Sequence, residues 1–363
     1  MKRPPRPLLA HILHTPEAAG RLSMADWDTL VRQARAAGLL ARLAHRLREH
    51  GMANSLPGVV RWHFDAAETL AAKQRTAVCW ELRQIATALR RLGAPVIVLK
   101  GAAYVAADLP AAQGRLFNDI DILVPRTALA DAESSLMLAG WHATGLSEYD
   151  KRYYRRWMHE IPPLKHVQRD TVLDVHHAIL PDTARYHPDS GLLRSRIVAV
   201  ESLPGIHVLS AEDRILHAAT HLFHDGELPH SLRDLSDLDL LLRDVADDFW
   251  PRLVARAEQL ELGRSLFYAL RYLRHFLDTP IPESAIAALA PAAPSAAMLA
   301  VMDRVFMRAL APTHASCADA FTPAARFAAF VRAHWLRMPM HLLVPHLLHK
   351  AFVSPTRRTP KTA

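Results

Sequence analysis

The segment that most constrains this chain is residues 117–125, "FNDIDILVP", where two aspartates alternate with isoleucines inside an otherwise apolar run. Period-two alternation is the pattern of a β-strand, whose successive side chains point to opposite faces. Asp119 and Asp121 therefore share one face, and Ile120 and Ile122 share the other. The isoleucine face calls for a core. The aspartate face must meet water, cations or metal, because neighbouring carboxylates repel. A divalent ion satisfies both at once, and two Mg²⁺ ions about 3.5–4 Å apart would orient a phosphoryl group and an attacking oxygen for in-line displacement. The plainer alternative is that Asp119 caps a turn while Asp121 pairs with an arginine.

Two further segments bear on that choice. Upstream, "APVIVLKG" is a short β-branched strand ending in Lys100-Gly101, followed by a helix of about two turns, "AAYVAADLP", stopped at Pro110. A glycine between strand and helix lets the backbone approach a ligand closely, and the helix start attracts phosphate. Lys100, one of only seven lysines in the chain, stands there as a point charge for a phosphate group. Downstream, "TVLDVHH" reads as another strand, with Val172, Asp174 and His176 on one face. Asp174 would complete a three-carboxylate site if its strand neighbours the first, and His176 would stand beside it as a supporting partner.

The surrounding pattern is helical. Residues 24–92 carry apolar residues at helical spacing up to Gly93, and beyond about residue 182 the helical rhythm returns. There "SAEDRILHAATHLFHD" opens with Ser210 as N-cap and Asp213 in the capping-box position. The expected fold is α+β: a small mixed sheet at residues 93–180, an N-terminal helical region at 1–92, a C-terminal helical domain at 181–353, and a disordered tail at 354–363.

The order strand, Lys-Gly, helix, Arg-x-x-Asn-Asp-Ile-Asp, helix, then a strand with a lone aspartate resembles the nucleotidyltransferase core of the DNA polymerase β superfamily. It is most similar to its uncharacterised bacterial nucleotidyltransferases, which carry "LKG", "R…NDIDILV" and "LDVHH". The resemblance covers residues 96–180. It implies a transfer of a nucleoside monophosphate from an NTP, with Mg²⁺ or Mn²⁺ on Asp119, Asp121 and Asp174. It also implies that Gly101 and its helix start cradle the nucleotide phosphates, that Arg115 and Asn118 position the strand or contact phosphate, and that His221 faces the cleft. Ala102 departs from the superfamily's usual Ser or Gly after the glycine, which removes a hydroxyl contact to phosphate. That departure keeps open an alternative, a nucleotide- or partner-binding protein that has kept the fold without turnover.

Composition narrows the setting. A net charge of +8 and a pI near 9.8 permit an acidic partner and tilt the acceptor toward RNA, with a protein side chain or a small molecule left open. Two distant cysteines form neither a disulfide framework nor a metal pair, which suits a reducing, cytoplasmic setting. The longest uncharged run, residues 284–302, is broken by Pro291 and Pro294 and makes a poor membrane span.

The remaining candidates read as structural. His217, His221 and His224 fall on one helix face, but no glutamate lies within the HxxxH as a general base, so core histidines are expected rather than a zinc hydrolase. His159 is a candidate substrate contact or a loop residue. The basic, aromatic "YDKRYYRRW" is expected to be a solvated helix with its rings turned inward rather than a nucleic-acid surface. The amphipathic stretch at 330–353 is expected to pack on the helical domain, with membrane-surface contact as the alternative.

Overall fold

The computed structural model describes residues 6–345, apart from 53–55, 144, 146, 225 and 227. Three helices open the described chain: α1 (Leu8–His14), α2 (Met24–Ala36) and α3 (Leu40–Glu49). α2 begins at a full capping box, Ser23 with Asp26. The long α4 (Gly58–Ala88) follows, burying Val60, Phe64, Ala71, Val78, Leu82 and Ile85, a stripe spaced by three, four and seven residues.

The sheet comes next: β1 (Val96–Val98), α5 (Lys100–Ala106), β2 (Ile120–Leu123), α6 (Leu129–Leu138), β3 (Trp141–Ala143), α7 (Glu148–Trp157), β4 (Leu164–His166) and β5 (Val172–His176). After α8 (Ser190–Arg194), two short strands, β6 (Val198–Ala199) and β7 (Ile206–Val208), return to it. The order is β3-β4-β5-β2-β1-β7-β6, a mixed seven-stranded sheet. β6 and β7 lie where the sequence pattern reads as mainly helical. At two and three residues they are too short to show a period. Helices α9 (Ala211–His224), α10 (Ser231–Leu242), α11 (Phe249–Gln259), α12 (Gly263–Leu277), α13 (Glu283–Ala288), α14 (Ala296–Ala309) and α15 (Thr322–Arg337) complete the α+β fold.

The sheet separates two cores. On one side Val96, Val98, Ile120, Ile122 and Val175 pack with Val78, Leu82 and Ile85 of α4. On the other, Ile97, Leu99 and Leu123 join a larger core that unites α1–α3 with α9–α14. Residues alternate between these cores along β1 and β2, as a pleated strand requires. Asp119 and Asp121 share the parity of Leu123, so the carboxylates face the helical body.

The α7 segment matches its sequence reading: Tyr149, Tyr153, Tyr154 and Trp157 are half-buried, while Arg152, Arg155 and Arg156 are exposed. At the C-terminal end, α15 packs on α14 and α9, burying Ala325, Ala329 and Ala333 and leaving Phe327, Val331 and Trp335 exposed. The expectations for 346–353 and for the tail fall outside the described residues. Among the described residues no helix is long and apolar enough to cross a membrane.

Candidate active site

β2 and β5 are parallel neighbours, and their register sets Asp121 directly beside Asp174. The adjacency left open by the sequence is thus supplied by the sheet. Asp121 is 2 % exposed, a position in which a bare carboxylate would be prohibitively desolvated. Its compensation is not an arginine. Lys100 Nζ donates to Asp121 Oδ1 at 2.7 Å, and His176 Nε2 reaches the same oxygen at 3.0 Å. Burial pushes Asp121 upward, but the ammonium and the imidazole outweigh it and hold the carboxyl far below the usual range. Lys100 is correspondingly raised: burial lowers it, and Asp121 more than restores it. Its backbone lies at φ +48°, a left-handed conformation that side-chain-bearing residues adopt at a cost and that recurs at functional sites.

Asp174 has no such compensation. Its Oδ1 is sealed from solvent and has no hydrogen-bond partner. Burial, together with the charges of Asp121 and Glu160, pushes its carboxyl up to about 7. Asp119 stands exposed at the cleft mouth, next to Asn118. The three carboxylates do not draw together into a metal-binding group among the described residues, and Asp174 is not among the residues lining the cleft, but their oxygen donors are of the kind that suits a hard divalent cation such as Mg²⁺ or Mn²⁺.

The chain of contacts extends to a residue the sequence reading did not single out. His176 Nδ1 lies 3.2 Å from Glu160 Oε2, so the imidazole bridges Glu160 and Asp121. Burial lowers His176, while Glu160 and Asp121 raise it above its ordinary value. The only sequence signal for Glu160 is its place beside His159 in an irregular "HEIPP" segment, where no periodicity operates.

A cleft of about 260 Å³ opens over this face, lined by Lys100, Gly101, Arg115, Asn118, Asp119, Asp121, His221 and residues of α10. Gly101 is needed there for close approach, although the group approaching it is a side chain. A Cβ at this position would overlap the Arg115 guanidinium, which fills the space that the sequence reading gives to phosphate. Arg115 is itself pinned: its Nε donates to Asp237 Oδ2 at 2.8 Å, and its guanidinium rests near the rings of Tyr104 and Phe117. Asp237 also takes Arg42 at 2.6 Å, so α3, α10 and the loop before β2 meet in one buried ion cluster.

On α9, His221 lines the cleft. His217 and His224 are buried, and burial brings each down to about 3 and keeps it neutral. The three form no metal-binding group among the described residues. Ser210 does cap α9, accepting from Asp213 N at 3.2 Å, but the Asp213 carboxylate turns instead to Arg256 in a buried two-pronged pair at 2.7 and 2.8 Å.

Alternate aspartates on a central strand, a third carboxylate in register on the parallel neighbour, and a strand–Lys-Gly–helix unit at their edge define a protein of the nucleotidyltransferase class. The family described as uncharacterised nucleotidyltransferase matches residues 23–278, and the chain belongs to it. A comparison with curated proteins finds no match.

Proposed function

We propose that this protein transfers a nucleoside monophosphate from an NTP to an acceptor, with Mg²⁺ or Mn²⁺ held by Asp119, Asp121 and Asp174. The observation that carries this reading is the orphaned Asp174 Oδ1 set in register beside Asp121. A buried carboxylate without a partner is costly, and a shared cation removes the cost. When bound, the cation would neutralise phosphate charge and align the reacting oxygens.

The chain's own groups supply the rest. Lys100 and His176 keep Asp121 ionised at every physiological pH. Asp174, pushed up to about 7 by burial and its neighbouring carboxylates, would give up its proton near neutrality when a cation takes its place. The cleft is smaller than the roughly 300–1,000 Å³ of sites that enclose a whole small molecule, so it suits the phosphate end of the nucleotide. Lys100 and Arg233 bring positive charge to its wall, while Arg115 holds the Gly101 turn in place. Such a site accelerates transfer mainly by positioning and charge neutralisation.

The test is incubation with labelled NTPs, Mg²⁺ or Mn²⁺ and a cell extract, comparing wild type with Asp119→Ala/Asp121→Ala. Label should appear on RNA, protein or a small molecule with wild type only, and its carrier names the acceptor class. Equal labelling by the two proteins would remove the aspartates from catalysis. Saturable NTP binding by the pure protein with no labelling under any condition would favour the binding-protein alternative.

A further inference from the structure

We infer that His159, Glu160 and His176 form a second cation site, selective for a zinc-class ion, on the side of His176 away from Asp121. The backbone assembles it. Residues 159–161 run antiparallel to the end of β5: Glu160 bridges to His176, His177 N donates to His159 O at 2.8 Å, and Ile161 N donates to Val175 O at 3.0 Å. This pairing places Glu160 directly opposite His176.

Each of the three residues offers a ligand atom, and these atoms all lie within 4.8 Å of one another. Zinc with bonds of about 2.0–2.1 Å to nitrogen or oxygen requires neighbouring ligands about 3.3 Å apart in a tetrahedron. The 3.2 Å between His176 Nδ1 and Glu160 Oε2 already matches that edge. The rings of His159 and His176 have centroids 5.2 Å apart and are tilted by 34°, so the second imidazole stands beside the first.

His159 Nδ1 provides an independent sign. It is sealed from solvent and has no hydrogen-bond partner, a deficit that a bound ligand would remove. His176 supplies another. A metal-bound histidine characteristically donates its remaining ring N–H to a carboxylate, which fixes its tautomer. His176 Nε2 is already on Asp121 Oδ1 at 3.0 Å, leaving Nδ1 for an ion.

Donor chemistry sorts the two sites. Two imidazoles and one carboxylate favour Zn²⁺ and its congeners, whereas the carboxylate set of Asp119, Asp121 and Asp174 favours Mg²⁺ or Mn²⁺. His176 would couple them: an ion on Nδ1 commits Nε2–H to Asp121 and steadies that carboxylate. This inference does not depend on the proposed transfer activity.

The experiment uses the full chain, stripped with chelator, dialysed, and titrated with Co²⁺ in excess Mg²⁺ while the visible d–d bands are followed. One equivalent of Co²⁺ should bind with the absorption of a low-coordinate site, and Zn²⁺ should displace it. His159→Ala and, separately, Glu160→Gln should weaken Co²⁺ and Zn²⁺ at least tenfold, while Asp119→Asn leaves both ions bound. Circular dichroism and melting in chelator establish that each variant is folded, and either of the first two suffices if the other is not. Failure of Co²⁺ or Zn²⁺ to bind in the presence of Mg²⁺ would overturn the inference. So would binding lost in Asp119→Asn but kept in His159→Ala and Glu160→Gln. The readout is metal binding, so a failure to transfer nucleotide leaves it intact and the reverse is equally true.

Discussion

Two buried ion clusters lie side by side in this protein and are built on opposite principles. In one, Asp237 sits between Arg42 and Arg115, a single carboxylate with two guanidinium partners. Burial would raise it, but the arginines hold it below its ordinary value. In the other, Asp121 has Lys100 and His176, whereas Asp174 beside it has an oxygen with nothing to bind. The first cluster ties together segments 42, 115 and 237: Asp237 Oδ1 accepts no well-aligned hydrogen bond, but it lies 2.6 Å from the Arg42 guanidinium. The second carries a negative charge that the protein does not answer. Burial alone thus does not separate a structural charge from a functional one, nor does a missing hydrogen bond; what separates them is the paired cation, which Asp237 has in Arg42 and Arg115 and Asp174 lacks.

The comparison is broken most directly by deleting a carboxylate from each cluster. Asp119→Ala, whose carboxylate is exposed and holds no buried cation, should lower nucleotide transfer on the order of 10³-fold, measured as initial rate of label incorporation. Asp237→Ala should instead act on folding, because it strands two buried guanidinium groups. A loss of about 3–5 kcal/mol is expected from denaturant unfolding. A fully stable Asp237→Ala protein would mean that the first cluster is not structural, and the contrast would fail.

Gly101→Ala sharpens the boundary between the two clusters. The added Cβ must push the Arg115 guanidinium away, and Arg115 is the side chain that joins the Asp237 cluster to the cleft. Overpacking of this kind costs about 1–3 kcal/mol. Transfer should fall about 10–100-fold, as when supporting residues of a site are displaced. Unchanged stability and rate would show that Arg115 has another place to go and that the glycine is not required.

How much of this was legible in the sequence depended on whether a period carried it. The strand at 120–123 and its aspartate face were readable because alternation fixes sidedness. The strand ending at His176 was readable for the same reason. The parallel pairing of β2 with β5 was not, since strand order is decided by crossovers rather than by either segment. Glu160 has no sequence signal because it lies in an irregular stretch and gains its place through a single bridge to His176. The position of Lys100 after a strand suggests a phosphate contact, while the structure turns it onto Asp121, a partner 21 residues along the chain. Arg115 stands out in the motif too, but its ion pair spans 122 residues, beyond any local pattern.

The smallest expected effect tests the unanswered charge itself. Asp174 ionises near 7 in the folded protein and near 4 when unfolded, so the folded state keeps its proton longer. The stability this proton confers is present below about pH 4 and is lost as pH rises toward 7. His176, raised in the folded state, loses its contribution in the same direction, but only above about pH 6.5. Asp121 is held low, and its contribution is lost only in acid, outside this range. The buried histidines His217 and His224, lowered to about 3, add stability in the opposite sense as pH rises toward 6.5, so the Asp174 contribution is read as a difference between wild type and Asp174→Asn, in which they cancel. In chelator, the melting temperature of wild type should fall by a few degrees relative to that of Asp174→Asn between pH 5 and pH 7, and the difference should stay constant above that. Mg²⁺ should stabilise wild type more at pH 8 than at pH 5, because at the lower pH it competes with the Asp174 proton. An unaltered slope in Asp174→Asn, or a Mg²⁺ shift independent of pH, would mean that Asp174 is answered by the protein after all, and the two clusters would then be of one kind.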